Sequence, residues 1–248
     1  MSEILPPWHE DLLRQWQNLI DTQKIPHSLL LHGVAGLGKA KLIQAFITAL
    51  FCEEKKIFSA CTCRNCYWLK QEMHPDIKWI KPEEKGKSIK IDTIREASLW
   101  LQLFPLNGAR KVLVVQDAEH LTSASANALL KTVEEPSPTS MIIFIAPSPK
   151  HLLATLRSRC YKMMLVCPEK NLIADWIEKN TEEKLKEEFF FPGMGPEVLL
   201  EGQSLENVQQ ANLVFCILEN LVAGKINFVT AAQKMKDLAP DLVLNYIY

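Results

Sequence analysis

A glycine-rich segment, Gly33-Val34-Ala35-Gly36-Leu37-Gly38-Lys39, constrains the fold of this chain more than any other stretch. A short apolar run precedes it, and a helical pattern follows it as far as Phe51. Strand, glycine turn, lysine and helix form the layout of a phosphate-binding loop, in which helix N-terminal N–H groups and the lysine face phosphate oxygens. The pattern predicts nucleotide-binding residues, which are Gly33, Gly36, Gly38 and Lys39. The alternative is a glycine turn that only joins strand to helix.

Two positions depart from what ATP hydrolysis requires. Ala40 follows Lys39, where a Ser or Thr hydroxyl would hold Mg²⁺, and a methyl group offers no oxygen ligand. The apolar strand expected over residues 111–116 ends in Gln116-Asp117-Ala118-Glu119, with Ala118 where a catalytic base is expected. Asp117 is either a remnant of a metal site or a simple cap. We therefore expect no Mg²⁺ and no hydrolysis, and ATP binding is doubtful.

The order of the expected elements indicates an α/β fold. Strands and helices alternate up to about residue 166, and residues 112–115 are apolar on both faces, as in a central parallel strand. The strand pattern disappears after Pro168. We expect a three-layer domain with a parallel sheet over residues 1–167, a small helical lid over 168–203 and a short helical segment over 204–248. Asp92 is expected to cap a helix that ends at Leu103.

The composition excludes several classes of protein. The net charge is −1, which demands neither nucleic acid nor a membrane as a partner. The longest clean apolar run, residues 141–146, is too short to cross a bilayer, and the first ten residues do not resemble a secretory signal. We expect a soluble, cytoplasmic protein. A lysine-rich stretch, residues 78–90, is either a solvated loop or a contact for DNA phosphates.

Four of the seven cysteines fall within residues 52–66, namely Cys52, Cys61, Cys63 and Cys66. In a reducing compartment such a cluster favours a metal site over disulfides. Free or buried thiols are the alternative.

Two longer segments carry a family resemblance. Ala-Asn-Ala-Leu-Leu-Lys-Thr-Val-Glu-Glu-Pro over residues 126–136 is joined by Thr-Leu-Arg-Ser-Arg-Cys over 155–160. With Ile25-Pro26-His27 and His74-Pro75-Asp76, they resemble the bacterial clamp-loader branch of the AAA+ proteins. The likeness covers about residues 1–200 and implies an AAA+ P-loop domain followed by a helical lid.

The resemblance assigns a role to Arg159. It matches the arginine finger that reaches ATP bound by a neighbouring subunit, which is worth about 10³–10⁵ in rate where it has been tested. An ordinary ion-paired arginine is the alternative, and Arg157 is the weaker candidate for the role. Residues 193–200, which match the part of the lid that carries a sensor arginine in active members, contain neither Arg nor Lys.

The resemblance also implies that the four cysteines hold structural zinc, which four thiolates bind tetrahedrally. The family spaces its last three cysteines as C-x-x-C-x-x-C, whereas this chain has C-x-C-x-x-C. Either the loop is tighter here or Cys61 is a weaker ligand.

Three functions follow from these observations. The first is a non-hydrolysing stator of a clamp loader, an accessory part of a DNA-polymerase assembly. The resemblance implies as its partners ATPase (gamma/tau) and delta subunits, with the sliding clamp and primer–template DNA reached through the ring. The second is an active ATPase subunit of the same assembly. The third is a small-molecule P-loop kinase, against which the clamp-loader segments count.

Overall fold

The computed structural model describes residues 5–55, 57, 61–84, 86–180, 213, 217, 220–221 and 227–235. The α-helices of this part of the chain are α1 (Glu10–Asp21), α2 (Lys39–Phe51), α3 (Arg64–Lys70), α4 (Ile91–Leu101), α5 (Ser123–Glu134), α6 (Ala154–Arg159), α7 (Lys170–Asn180) and α8 (Phe228–Met235). Its strands are β1 (Ser28–His32), β2 (Ile77–Ile80), β3 (Lys111–Val115), β4 (Ser140–Ala146) and β5 (Tyr161–Met164). Strands and helices alternate, as the sequence predicts.

The five strands form one parallel sheet in the order β2-β3-β4-β1-β5. β1 lies between β4 and β5, and its Leu30 pairs with Phe144 on one side and Lys162 on the other. Every residue of β3 and β4 is buried, as expected for parallel strands covered on both faces. The predicted α/β class with a parallel sheet is confirmed.

The core consists of aliphatic strand residues packed against amphipathic helices. Leu113 and Phe144 of the sheet belong to one buried cluster with Ile94 of α4 and Leu129 of α5. Trp16 of α1 is fully buried, with its ring centroid 4.7 Å from that of Phe46 in α2. These contacts fix α4 and α5 against the sheet and α1 against α2.

The helix expected to begin at Asp92 has different ends. α4 begins at Ile91 with Lys90 as its N-cap, and it ends at Leu101 instead of Leu103. Asp92 therefore lies inside the first turn, where its carboxylate is still favoured by the helix dipole and pairs with Arg95 at 3.4 Å. Thr122, by contrast, caps α5 through its side chain, which accepts the N–H of Ser125 at 3.0 Å.

The chain divides into two compact units. One comprises residues 1–34 and 38–167, and the other comprises residues 35–37 and 168–248. The second unit contains α7 and α8, whereas the expected lid segment at 193–200 and most of 204–248 lie outside the described residues. The division into a lid and a C-terminal segment stays a prediction. In the part of the chain that the structure describes, no helix is both long and apolar enough to cross a membrane.

A buried carboxylate organises the turn before β3. Both oxygens of Asp76 accept N–H bonds, from Leu106 and Asn107 at 2.7 Å each and from Gly108 at 3.0 Å. The ammonium group of Lys111 lies 3.6 Å from the same carboxylate, and both side chains are almost fully buried. The charge of Asp76 thus has partners that replace water.

We expect Asp76→Ala to lower the free energy of unfolding by about 3–5 kcal/mol, because it leaves Lys111 buried without its partner. Denaturant-induced unfolding followed by circular dichroism measures this change. Asp92→Ala, which removes a carboxylate from an exposed ion pair, should leave stability nearly unchanged. Equal effects of the two substitutions would contradict the assignment of Asp76 as a structural centre.

Candidate functional site

The glycine-rich segment lies at the carboxyl edge of the sheet, between β1 and α2. Gly38 is the N-cap of α2 with φ 80°, and Gly36 has φ 75°. These left-handed conformations favour glycine, because a Cβ atom is strained there. The predicted phosphate-loop layout of strand, turn and helix is therefore present.

Gly33 is required for a different reason. The backbone after β5 passes beside the start of the loop, where the N–H of Leu165 donates to the carbonyl of His32 at 2.8 Å. A Cβ atom on Gly33 would overlap the carbonyl oxygen of Leu165. Only a hydrogen fits at this position, so the pairing of β5 with β1 helps to shape the loop.

Lys39 folds back over the first part of the loop. Its Nζ donates to the carbonyl oxygens of Gly33 at 2.6 Å and Val34 at 2.7 Å. Burial lowers the pKa of the neighbouring His32, and the charges of Lys162 and Lys39 lower it further. The end of β1 is therefore electropositive, which suits a phosphate group.

The acidic end of β3 lacks the arrangement that hydrolysis requires. Asp117 has a left-handed backbone (φ 52°), and its carbonyl accepts the N–H of His120. Ala118, where a catalytic base is expected, is buried. One strand, β4, separates β3 from β1, so the carboxyl ends of β3 and β1 lie about 10 Å apart. Asp117 follows the end of β3, and the phosphate loop follows the end of β1. The residue after Asp117 carries no carboxylate, so the expected acidic pair is missing.

Glu119 is the nearest further carboxylate in sequence. Burial raises its pKa, as does the charge of Asp117, and its Oε2 is buried without a hydrogen-bond partner in the described part of the chain. Burial and the charge of Asp117 both disfavour the ionised form of Glu119, which is the form that binds Mg²⁺. Glu119 is therefore a poor substitute for the residue missing at Ala118.

Arg159 lies at the opposite edge of the sheet from the loop. It is the last residue of α6, and its carbonyl accepts a hydrogen bond from the Ser28 hydroxyl at 2.8 Å, at the amino end of β1. The four residue steps of β1 place this end roughly 13 Å from His32, which precedes the loop. Arg159 is thus separated from the phosphate loop of its own chain by the length of a strand.

The guanidinium of Arg159 is partly exposed and has two main partners. Its Nη1 donates to the carbonyl of Thr155 at 2.9 Å, and its Nη2 lies 2.8 Å from Oε1 of Glu134. Arg157 has a different environment: its Nη1 lies 3.4 Å from the carbonyl of Pro149, and it lines a cavity of about 340 Å³ with Lys150 and His151.

The four clustered cysteines converge on one point. Cys52 follows the last residue of α2, Cys63 is the N-cap of α3, Cys66 lies in its first turn, and the four sulfur atoms are within 4.8 Å of one another. A tetrahedral ion with Zn–S bonds of about 2.3 Å needs sulfurs about 3.8 Å apart, so a small contraction suffices. The cluster is positioned to bind a metal ion. Cys61 lies with the other three despite the shorter spacing.

The thiols of this cluster differ in acidity. Burial opposes ionisation of Cys63, but the N–H groups of Glu53 and Cys66 and the neighbouring thiols outweigh it and lower the pKa to about 7. At Cys61 the N–H of Cys63 lowers the pKa, but desolvation and the thiols of Cys63 and Cys52 raise it to about 11. Burial raises the pKa of Cys66, as do the thiols of Cys63 and Cys52. Among these three thiols, Cys63 is therefore the most acidic.

The lysine-rich stretch is partly neutralised by its own acidic residues. Lys87 pairs with Glu84 at 2.6 Å and Lys90 with Glu83 at 2.8 Å, and all four side chains are exposed. These pairs favour the solvated-loop interpretation over a strongly cationic surface.

Comparison with known proteins identifies the family. A sequence profile for the family described as "DNA polymerase III, delta subunit" matches residues 8–168. This chain belongs to that family. The Pseudomonas aeruginosa protein "DNA polymerase III subunit delta'" is 33% identical over 180 residues, which cover 72% of this chain and 54% of the relative. The Yersinia pestis protein of the same name is 36% identical over 172 residues, covering 69% of this chain and 51% of the relative.

The chain spans about half the length of the curated relatives that it matches. Among solved structures, a DNA polymerase III gamma subunit-related protein from Thermotoga maritima is 17% identical, with a TM-score of 0.47 over 94% of this chain and 75% of that chain.

Sequence reasoning missed two residues that support the site. Glu134 contacts Arg159. The sequence feature that could have indicated this contact is an acidic residue in the last turn of a helix, where the helix dipole disfavours negative charge. Ser28 holds the backbone of Arg159 through a contact between residues 131 positions apart, for which no local sequence pattern exists.

The thiol acidities predict how metal affinity depends on pH. Between pH 7 and pH 8, Cys61 and Cys66 remain protonated in the metal-free cluster, because their pKa values are raised. Metal binding must release at least these two protons, so affinity should rise at least about a hundredfold per pH unit. Competition between the protein and a chelator of known proton affinity, with Co²⁺ as an absorbing probe, measures it. A Cys160→Ser variant should behave identically, and a pH-independent affinity would contradict thiolate ligation.

Proposed function

We propose that this chain is a non-hydrolysing, delta-prime-like subunit of the DNA polymerase III clamp loader. The observation that carries the proposal is the position of Arg159, on a clamp-loader sequence segment and a strand length away from the phosphate loop of its own chain. An arginine at that edge is poorly placed to act on its own nucleotide. It is available to a nucleotide bound by a neighbouring subunit.

The chemistry of arginine fits this role. A guanidinium stays charged at all relevant pH values and presents several N–H donors in a plane, which matches phosphate oxygens. In phosphoryl transfer, negative charge spreads over the transferred group, and an arginine supplied in trans stabilises it. This subunit would accelerate hydrolysis without binding the ATP that is hydrolysed.

The proposed lack of ATP hydrolysis by the chain itself rests on three departures from the sequence pattern of active ATPases. Ala40 removes a hydroxyl ligand for Mg²⁺, Ala118 removes the expected base, and residues 193–200 lack a sensor arginine. Any single loss leaves a weakened ATPase, but the three together remove the metal, the activated water and a phosphate contact. The loop then serves as a scaffold with residual affinity for phosphate through Lys39.

The proposed partners follow from the clamp-loader resemblance and the proposed role. The subunit would occupy a hetero-oligomeric ring with ATPase (gamma/tau) and delta subunits in the cytoplasm. Through this ring it would help to load the sliding clamp on primer–template DNA. In such an assembly it is an accessory to a DNA-directed DNA polymerase and contributes no active site of its own.

An active ATPase subunit of the same loader is the second candidate. The loop geometry favours it, since Gly36 and Gly38 have the left-handed conformations of a phosphate loop and Lys39 lies over the start of that loop. Steady ATP turnover by the purified chain with Mg²⁺ would support this candidate and contradict the stator.

We expect Arg159→Ala to slow hydrolysis at the neighbouring subunit's site by about 10³-fold or more, because charge stabilisation in trans is lost. The measurement is single-turnover ATP hydrolysis by the ring reconstituted with ATPase and delta subunits, in the presence of clamp and primed DNA. Arg157→Ala is the matched control and should retain most of the rate. An unchanged rate for Arg159→Ala, with normal ring assembly, would refute the finger assignment.

We further propose that the cysteine cluster holds structural Zn²⁺. Four thiolates satisfy the tetrahedral preference of zinc and leave no coordination position for a substrate. The ion would join the end of α2 to the start of α3 across residues 52–66, a segment with few apolar residues to bury. Such sites contribute binding free energy directly to folding, about 10–16 kcal/mol in zinc-finger peptides.

The purified chain should contain one zinc per molecule by elemental analysis. Cys66→Ser should lose the metal and lower the melting temperature, because a buried ligand is removed. Cys167→Ser changes an exposed thiol outside the cluster and should alter neither quantity. Metal-free wild-type protein with the same melting temperature as the purified form would contradict a structural ion.

A further inference from the structure

We propose that Glu134 is a positioning residue for Arg159, and that it orients the guanidinium for a phosphate in a neighbouring subunit. The inference rests on the proposed function of Arg159. The carboxylate of Glu134 and the guanidinium approach to 2.8 Å across two different helices, α5 and α6. This contact joins the ends of both clamp-loader segments.

The location of Glu134 indicates that its charge has a purpose. It is the last residue of α5, where the carbonyl ends of the helix carry partial negative charge and a carboxylate is unfavourable. The guanidinium of Arg159 offsets that repulsion. A glutamate at this position is thus explained by the arginine that it contacts, whereas helix formation alone would favour a basic residue.

The hydrogen-bond inventory leaves donors for a ligand. Arginine has five N–H groups. Nη1 contacts the Thr155 carbonyl at 2.9 Å and the Ser158 hydroxyl at 3.4 Å, and Nη2 contacts Glu134. Within the described residues, the N–H of Nε takes part in no contact. The guanidinium is held from one side and keeps donors for phosphate oxygens.

The strength of the ion pair indicates whether Glu134 withholds Arg159 from a phosphate group or orients it toward one. The two side chains are 40% and 44% exposed, and ion pairs this exposed change a population by up to about fivefold. A restraint of that size cannot withhold the arginine from a phosphate contact worth about 10³–10⁵ in rate. It can restrict the rotamers of a long side chain, which otherwise loses conformational entropy on binding. The contact therefore assists the finger.

The chain provides a matched control in the next residue. Glu135 has the same charge and is also exposed, and it makes no ion pair in the described part of the structure. Its backbone N–H ends α5 by donating to the carbonyl of Lys131 at 2.9 Å, a bond that a side-chain change does not remove. Glu134→Ala and Glu135→Ala thus alter net charge equally, but only the first removes the contact.

The experiment uses the ring reconstituted with ATPase and delta subunits, clamp and primed DNA. Glu134→Ala should lower kcat for ATP about three- to fivefold with KM unchanged, because the arginine acts in the transition state. Glu134→Gln, which keeps an oxygen acceptor, should restore part of the loss, and Glu135→Ala should match wild type. In the Arg159→Ala background, Glu134→Ala should have no further effect.

The outcomes separate the two proposals. If Arg159→Ala leaves the rate unchanged, the proposed function fails. If Arg159→Ala causes a large loss while Glu134→Ala equals Glu135→Ala or accelerates turnover, the finger stands and the role of Glu134 is refuted. An additive loss in the double variant would also refute it, since a residue that acts through Arg159 has no effect without that arginine.

Discussion

The parallel pairing of β1 with β5 holds both ends of the candidate site. At the amino edge it brings Arg159, just before β5, beside Ser28 at the start of β1. At the carboxyl edge it brings Leu165 against Gly33, so closely that only glycine fits. Because parallel strands share their polarity, the phosphate loop and the arginine must lie at opposite edges. The proposed division of labour between two subunits follows from this geometry.

Helix α2 joins the phosphate loop to the cysteine cluster. It begins at Lys39 and ends at Phe51, directly before Cys52, a length of about 20 Å for its 13 residues. Its middle is buried against the core, as the fully buried Phe46 shows. An ion in the cluster would therefore anchor the far end of the helix whose N-terminus shapes the loop. Such an anchor suits the proposed role, in which the chain presents Arg159 to a neighbouring subunit.

A buried ion pair and a partly exposed ion pair have different roles in this molecule. The Asp76–Lys111 pair is almost fully buried, and its carboxylate also accepts three backbone N–H bonds, so its loss should unfold the turn before β3. The Arg159–Glu134 pair is partly exposed and contributes little to stability. The Arg159–Glu134 pair can therefore serve the proposed reaction, because breaking it costs the fold little stability.

Local patterns in the sequence determined the parallel α/β class, the strand–loop–helix unit at Gly33 to Lys39, and the gathering of four cysteines in a short segment. These features depend on neighbours in the chain, such as apolar runs, glycine positions and ligand spacing. The start of α4 was predicted wrongly, because a carboxylate in the first turn and one at the N-cap leave similar sequence signals. The edge that Arg159 occupies follows from the parallel α/β class, because the arginine precedes a parallel strand whereas the loop follows one. Tertiary structure alone decided that Glu134 contacts Arg159 and that Ser28 holds its backbone. Those contacts join residues up to 131 positions apart, and their distances are set by strand order and helix packing, which no local pattern encodes.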